Sequence, residues 1–215
     1  MAKILITSGP TRQYLDPVRY LTNASSGRMG VALAQSALAL GHQVLVISGP
    51  VHVTYPSDAV VVSVRTTQEM LLAAREHFRS CDGAIGAAAP CDYQPRVVSE
   101  QKLSKTGEGI QLHLIETPDV IATLGSEKQP HQWVVGFALE TQDHRFRATV
   151  KLQKKLCDLI VSNDPSAIDS PQSSVELLNG DGDVLAALSG DKASVAEGLL
   201  REIDQRLIQK SQPAA

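Results

Sequence analysis

Two short runs constrain this chain more than anything else in it. Lys3–Ser8 carries Ile4, Leu5 and Ile6 without a polar break and stops at Gly9-Pro10; Gln43–Ser48 is equally apolar and stops at Gly49-Pro50. A strand with one wet face alternates apolar and polar residues, so an unbroken run means burial on both faces. Between the two lies Met29–Leu40, rich in Ala and Leu and closed by Gly41, which reads as a helix with a glycine stop. Strand, helix, strand in this order predicts parallel strands joined by a crossover helix.

The rest of the chain continues the alternation. Val60–Val64 reads as a strand, and Thr66-Thr67-Gln68-Glu69 is a capping-box start for a helix to about Arg79. Gly83–Ala87 reads as a small-residue strand, and Gly109–Ile115 alternates as another. Thr117 as cap with Pro118 at the first helical position predicts a short helix ending at Gly125. Trp133–Phe137 (strand), Thr141–Leu156 (helix) and Asp158–Ser162 (strand) follow. The class is therefore α/β, with a doubly wound, mainly parallel, Rossmann-like sheet. Ser174–Leu178 and Asp183–Leu188, joined by Asn179-Gly180-Asp181-Gly182, predict a C-terminal antiparallel hairpin appendage, with a helix from Lys192 to Leu207 after it. No repeat or linker divides the 215 residues, so one domain over 1–207 is expected, with a disordered tail over 208–215.

Composition removes several functions. A net charge of -3 leaves no basic surplus for a nucleic-acid backbone. No stretch approaches the roughly 20 apolar residues of a membrane span. Cys81, Cys91 and Cys157 have no paired spacing, which fits a reducing cytoplasm rather than a disulfide frame or zinc site. There is no G-x-x-x-x-G-K-[ST] and no G-x-G-x-x-G after the first strand, and Ile47-Ser48-Gly49-Pro50 lacks the acidic residue that would hold an adenosine ribose. These absences weigh against P-loop and nicotinamide chemistry.

The loops beyond the strands' carboxyl ends hold the candidates. Asn23-Ala24-Ser25-Ser26-Gly27-Arg28-Met29-Gly30 opens the first helix, where backbone N–H groups attract phosphate; the plainer reading is a serine cap with a glycine for close packing. Gly86-Ala87-Ala88-Ala89 lets a flat ligand lie against backbone, and Asp92 could hold a magnesium ion between phosphates, or simply cap a turn. Cys91 reads as a small buried residue rather than a nucleophile. Lys102-Leu103-Ser104-Lys105 lies in a polar loop with little in it to anchor it. Lys151, Lys154 and Lys155 cluster near the end of the predicted helix, and Lys151 and Lys155 stand at i and i+4, where mutual repulsion of roughly 0.2–0.5 kcal/mol competes with a helix-dipole gain of roughly 0.3–1 kcal/mol. A triphosphate would give both lysine clusters a use.

Taken in order, these segments resemble the phosphopantothenoylcysteine synthetase (phosphopantothenate–cysteine ligase) family. The matching pieces are Thr7–Arg12, Leu15–Arg19, Asn23–Gly30, Ala88–Tyr93, Lys102–Lys105, Pro118–Ile121, Gly136–Thr141 and Lys151 with Lys155. The sequence departs from the family pattern at Ser104, where a lysine is usual, and at Pro90-Cys91, where Val-Ala is common. Bacterial members usually fuse this half behind a flavin-dependent decarboxylase, which has no counterpart in this sequence; a stand-alone enzyme or a cut portion is implied.

The resemblance implies a two-step ligation. The phosphopantothenate carboxylate attacks the α-phosphate of CTP, giving an acyl-cytidylate and pyrophosphate; the amine of cysteine then displaces CMP. By position, Asn23 and Lys102 would act on the reacting groups. Ser25, Gly27, Gly86, Ala88, Ala89, Asp92, Lys102, Pro118, Asp119, Val120, Ile121, Phe137, Lys151 and Lys155 would bind the nucleotide, with Mg2+ shared between Asp92 and the phosphates. Animal relatives use ATP, whereas the Pro118–Ile121 and Lys151/Lys155 segments are of the bacterial, CTP-using type. A homodimer through the late antiparallel region is also implied. Competing readings from the fold alone are a nicotinamide- or flavin-linked oxidoreductase and a non-catalytic nucleotide sensor.

Overall fold

The structure is a computed structural model and describes residues 1–139, 143–163 and 172–209. In chain order the elements are β1 (Lys3–Ser8), β2 (Arg12–Tyr14), β3 (Tyr20–Thr22), α1 (Arg28–Ala39), β4 (Gln43–Ser48), β5 (Val60–Ser63), α2 (Thr67–Phe78) and β6 (Gly83–Gly86). Next come β7 (Tyr93–Pro95), β8 (Leu114–Glu116), α3 (Val120–Glu127), β9 (Trp133–Leu139), α4 (His144–Lys154) and β10 (Leu159–Asn163). The chain closes with β11 (Gln172–Leu178), β12 (Val184–Asp191), α5 (Lys192–Ile203) and a π-helical turn over Asp204–Ile208.

The main sheet has eight strands in the order β12-β11-β10-β9-β6-β1-β4-β5. From β10 to β5 every neighbouring pair is parallel. Both faces are covered, which is why the strands read as unbroken apolar runs. Ile4 and Ile6 of β1 pack with Leu33 of α1 and with Leu199 and Leu200 of α5. Leu5, between them, packs on the opposite face with Met70 and Phe78 of α2 and Leu124 of α3. The period-two alternation of side chains is thus present, with both faces apolar. No helix among the described residues is long and apolar enough to cross a membrane.

The doubly wound, mainly parallel sheet expected from the sequence is borne out. The late hairpin, however, continues this sheet rather than standing apart, because β11 pairs antiparallel with β10 and β12 with β11. The alternating run at Gly109–Ile115 is a strand only from Leu114, where β8 pairs with β7. Ile110 is 63% exposed, so the upstream alternation has no surface to pack on. Asp119, not Thr117, caps α3, accepting from the Ala122 N–H at 3.0 Å. The Thr117 hydroxyl instead donates to the Cys91 carbonyl at 2.7 Å. The β2–β3 hairpin had no periodic signal in the sequence. Glu140, Thr141 and the tail beyond 209 lie outside the described residues.

Candidate active site

Strand order reverses between β1, which leads out to β4 and β5, and β6, which leads out to β9 and β10. Crossovers to the two sides of such a switch point leave a crevice beyond the strands' carboxyl ends. Here the two loops that flank it touch, through a bridge between Pro10 and Ala89. Two clefts open at this place. One, of about 520 Å3, lies towards α1; the other, of about 500 Å3, lies towards α3. Ala88, Pro90, Asp92, Phe137 and Lys155 line both, so they form one site with two lobes.

The lobe towards α1 is made for anions. Its wall is the start of α1, at Gly27, whose φ is 76° and which no described side chain caps. The serine cap of the plainer reading is therefore absent; Ser25 and Ser26 line the cleft instead. Any other residue at Gly27 would be strained at that φ, and its Cβ would stand 2.8 Å from a methyl of Val51. Helix N–H groups and the positive end of the dipole thus face the cleft. Across it stand Lys151 and Lys155 near the end of α4. Asn23 forms part of the rim, and its Nδ2 donates to the Pro90 carbonyl at 2.8 Å. That bond spans two loops, so Asn23 is not a turn residue bonding its own backbone.

The lobe towards α3 has a flat floor. Gly86 ends β6 beneath Ile121; a Cβ at Gly86 would lie 2.4 Å from Ile121 Cγ1, so glycine is required for this approach. Pro118, Asp119, Val120 and Ile121 form the side, with Lys154 and Lys155 opposite. Asp119 does two things at once: Oδ1 caps α3, and Oδ2 meets Lys155 Nζ at 3.0 Å. Lys155 is thereby held at the junction of the lobes.

Of the residues singled out in the sequence, Asn23, Ser25, Gly27, Gly86, Ala88, Ala89, Asp92, Pro118, Asp119, Val120, Ile121, Phe137, Lys151 and Lys155 line these two lobes. Lys102 does not. It is exposed, in the loop between β7 and β8. That loop is also better tied than its composition suggested, through Ser99 and Leu103. Lys154, part of the second lysine cluster, lines the lobe towards α3, whereas sequence reasoning missed Ser173 and Lys192, which line the lobe towards α1. Ser173 and Lys192 had no signal at all, because β11 and the start of α5 bring them to the site from the far end of the chain. Cys91 is buried as expected, and all three cysteines are free thiols. Burial pushes the Cys157 thiol up to about 12 and raises that of Cys81, so neither supplies a thiolate.

The sequence profile of the DNA/pantothenate metabolism flavoprotein C-terminal domain family matches residues 1–207. The chain belongs to this family. The coenzyme A biosynthesis bifunctional protein CoaBC of Vibrio vulnificus (strain YJ016) is 38% identical over 206 residues, covering 93% of this chain and 51% of the relative. The chain thus spans about half the length of the curated relatives it matches. Among solved structures, the C-terminal domain of a CoaBC protein has a TM-score of 0.82 at 37% identity and covers 95% of each chain. The DNA/pantothenate metabolism flavoprotein from Streptococcus pneumoniae also has a TM-score of 0.82, at 25% identity, covering 95% of this chain and 99% of the other. The resemblance drawn from the ordered motifs is borne out, and the family's fold is the one described above.

Proposed function

We propose that this chain joins phosphopantothenate to cysteine, using CTP to activate the carboxylate, as a step in coenzyme A synthesis. The observation that carries the reading is the two-lobed site with Lys155 at its junction. A ligase that makes an acyl-nucleotidylate must hold two anionic substrates end to end and neutralise them where they meet. The lobe towards α3 takes the nucleotide against Gly86, Ala88 and Pro118–Ile121. The lobe towards α1 takes phosphopantothenate, with its carboxylate near Asn23. The triphosphate reaches the junction of the lobes, where Lys155 faces it directly and Lys151 faces it from the lobe towards α1, and the Asn23 amide still has one N–H and its oxygen for the acyl-phosphate group.

In the first step a carboxylate oxygen attacks the α-phosphorus and pyrophosphate leaves. In the second, the cysteine amine attacks the acyl carbon, CMP leaves with the bridging oxygen, and the amine gives up a proton. Neither step needs an enzyme nucleophile. Positioning and charge neutralisation supply the rate, which agrees with thiols that are buried.

Asp92 is the carboxylate common to both lobes among the described residues, while Asp119 is engaged by Lys155. No group of three or more metal-ligating side chains stands among the described residues. That donor set fits a magnesium ion carried in on the phosphates and held by Asp92, rather than a dedicated protein cage. Such an ion would neutralise phosphate charge when bound. The active form is a homodimer in the cytoplasm, with β12, at one end of the sheet order, offering an edge for a second copy. The test is pyrophosphate release with phosphopantothenate, CTP, cysteine and magnesium, omitting each in turn. Release is expected to require phosphopantothenate, CTP and magnesium. Release that is absent, or independent of phosphopantothenate, would remove the reading.

A further inference from the structure

Asp16 is wholly buried although its neighbour Val18 is 59% exposed. A carboxylate taken out of water must find donors. Asp16 Oδ1 accepts from the N–H groups of Val18 at 2.7 Å and Arg19 at 2.8 Å, and Oδ2 from the Arg19 guanidinium. Those partners belong to the turn between β2 and β3 and would serve a local turn by themselves. The remaining donor is different in kind. The Leu103 N–H reaches Oδ2 at 3.1 Å from 87 residues further along the chain. Leu103 is the residue after Lys102.

A second bond runs alongside it, from the Ser99 N–H to the Leu15 carbonyl at 2.9 Å. The segment that carries Lys102 is therefore pinned at two points on the β2–β3 turn. The other arm of the same hairpin, β3, ends at Thr22 and hands directly to Asn23. Thr22 donates to the Thr11 carbonyl at 2.8 Å, and Asn23 to the Pro90 carbonyl at 2.8 Å. The hairpin thus stands between Lys102 on one side and the rim of the site on the other.

We propose that Asp16 is a positioning residue that registers the Lys102 loop against the hairpin carrying Asn23, so that Lys102 and Asn23 meet the same ligand. The inference rests on the ligase reading above. Asp16 lines neither lobe and touches no substrate; it acts through Lys102. Burial alone would raise its carboxyl. The Val18, Arg19 and Leu103 N–H groups with the Arg19 guanidinium outweigh burial and hold it well below the usual carboxylate range. It is consequently a fixed anion at working pH, not a switch. Asp16→Asn keeps the shape but turns one acceptor into an NH2 group, so either the Arg19 guanidinium and the Leu103 N–H, or the Val18 and Arg19 N–H groups, then face a donor, and in both cases the four-donor cradle that seats the loop is broken.

The test compares wild type, Asp16→Asn, Lys102→Gln and the double variant by kcat, KM for CTP and for phosphopantothenate, and amide hydrogen exchange over residues 99–113. Asp16→Asn is expected to cut kcat between about tenfold and a hundredfold, as a misplaced catalytic group does, and to speed exchange at the Leu103 amide. In the Lys102→Gln background the same change is expected to cost almost nothing more, because its route to the chemistry has gone. Losses that multiply in the double variant would overturn the proposal and leave Asp16 a residue of the fold. If Asp16→Asn does not fold, Leu103→Pro deletes the one N–H that the loop lends to Asp16 and leaves the turn intact. It is expected to show the same lack of additivity with Lys102→Gln, and additivity there overturns the proposal equally. A wild-type enzyme that forms no product sinks the ligase reading and this inference together; an active wild type with multiplying losses sinks this inference alone.

Discussion

Replacing Asn23 by Asp separates chemistry from architecture at the rim of the site. The Asn23 amide donates to the Pro90 carbonyl at 2.8 Å. A carboxylate there puts two acceptors face to face. The lost bond and the unsatisfied pair cost about 1–3 kcal/mol together. For a domain of this size each kcal/mol lowers Tm by about 2–4 °C, so a drop of about 2–12 °C is expected. Asn23→Ala loses the bond without the clash, and its drop is expected to be about half as large. A domain with the usual stability of about 5–15 kcal/mol stays almost wholly folded at 25 °C after either change. Unfolding therefore cannot account for a large loss of rate. Removing one donor from a developing oxyanion costs about a hundred- to a thousandfold, and the new negative charge beside two anionic substrates adds to that. The assay is steady-state product formation at 25 °C beside a thermal melt. An Asn23→Asp enzyme within tenfold of wild type, with Tm lowered as stated, would show that Asn23 merely staples two loops and would refute its catalytic role.

Three further outcomes follow from the same geometry. Replacing Lys151 and Lys155 together with Gln is expected to weaken CTP binding at least about tenfold, since each charge-assisted bond to phosphate contributes about 1.5–3 kcal/mol; titration calorimetry reads this directly. Without nucleotide, Lys155→Gln by itself is expected to move the melt by no more than about 4 °C, because the Lys155–Asp119 pair is 26% and 46% exposed and such pairs contribute about 0–1 kcal/mol; a large fall in Tm of the double variant with unchanged CTP affinity would assign both lysines to the helix alone. Lys102→Gln is expected to lower kcat at least about tenfold with stability within about 0.5 kcal/mol of wild type, as for any exposed position; wild-type kinetics would take Lys102 out of the site. The depressed carboxyl of Asp16 contributes stability that is present above the ordinary aspartate value of 3.8 and lost as pH falls below it, so an acid titration of stability is expected to be shallower in Asp16→Asn; equal slopes would mean that Asp16 is not held as an anion.

Much of the fold was legible because β1 and β4 are buried on both faces, which leaves an unbroken apolar run ended by Gly-Pro. The places that failed are those where a local signal met a tertiary competitor. Ile110 and Leu112 alternate like a strand, yet no described surface covers them, and the strand begins only where Leu114 finds Pro95. Pro118 favours the first turn of a helix, but the Thr117 hydroxyl is spent on Cys91 and Asp119 reaches the Ala122 N–H. The β2–β3 hairpin is made of three-residue strands held by Asp16 and by edge contacts, too short for any period to show. At the site, Asn23, Asp92, Lys151 and Lys155 were legible from ordered motifs and Lys154 from its cluster, whereas Lys192 was not, since it lies in no motif and arrives through antiparallel pairing. The Asn23–Pro90 and Asp16–Leu103 bonds link positions too distant in sequence for any spacing to suggest.

The most direct measurement of the central claim uses phosphopantothenate labelled with 18O in both carboxylate oxygens. If the carboxylate is activated as an acyl-cytidylate, one labelled oxygen bridges to the α-phosphorus and leaves with CMP when cysteine attacks the acyl carbon. Mass spectrometry is then expected to find one 18O in each CMP formed, one in the new amide carbonyl, and none in pyrophosphate. CDP with the label in inorganic phosphate, unlabelled CMP with the label in pyrophosphate, or no ligated product, would contradict the account.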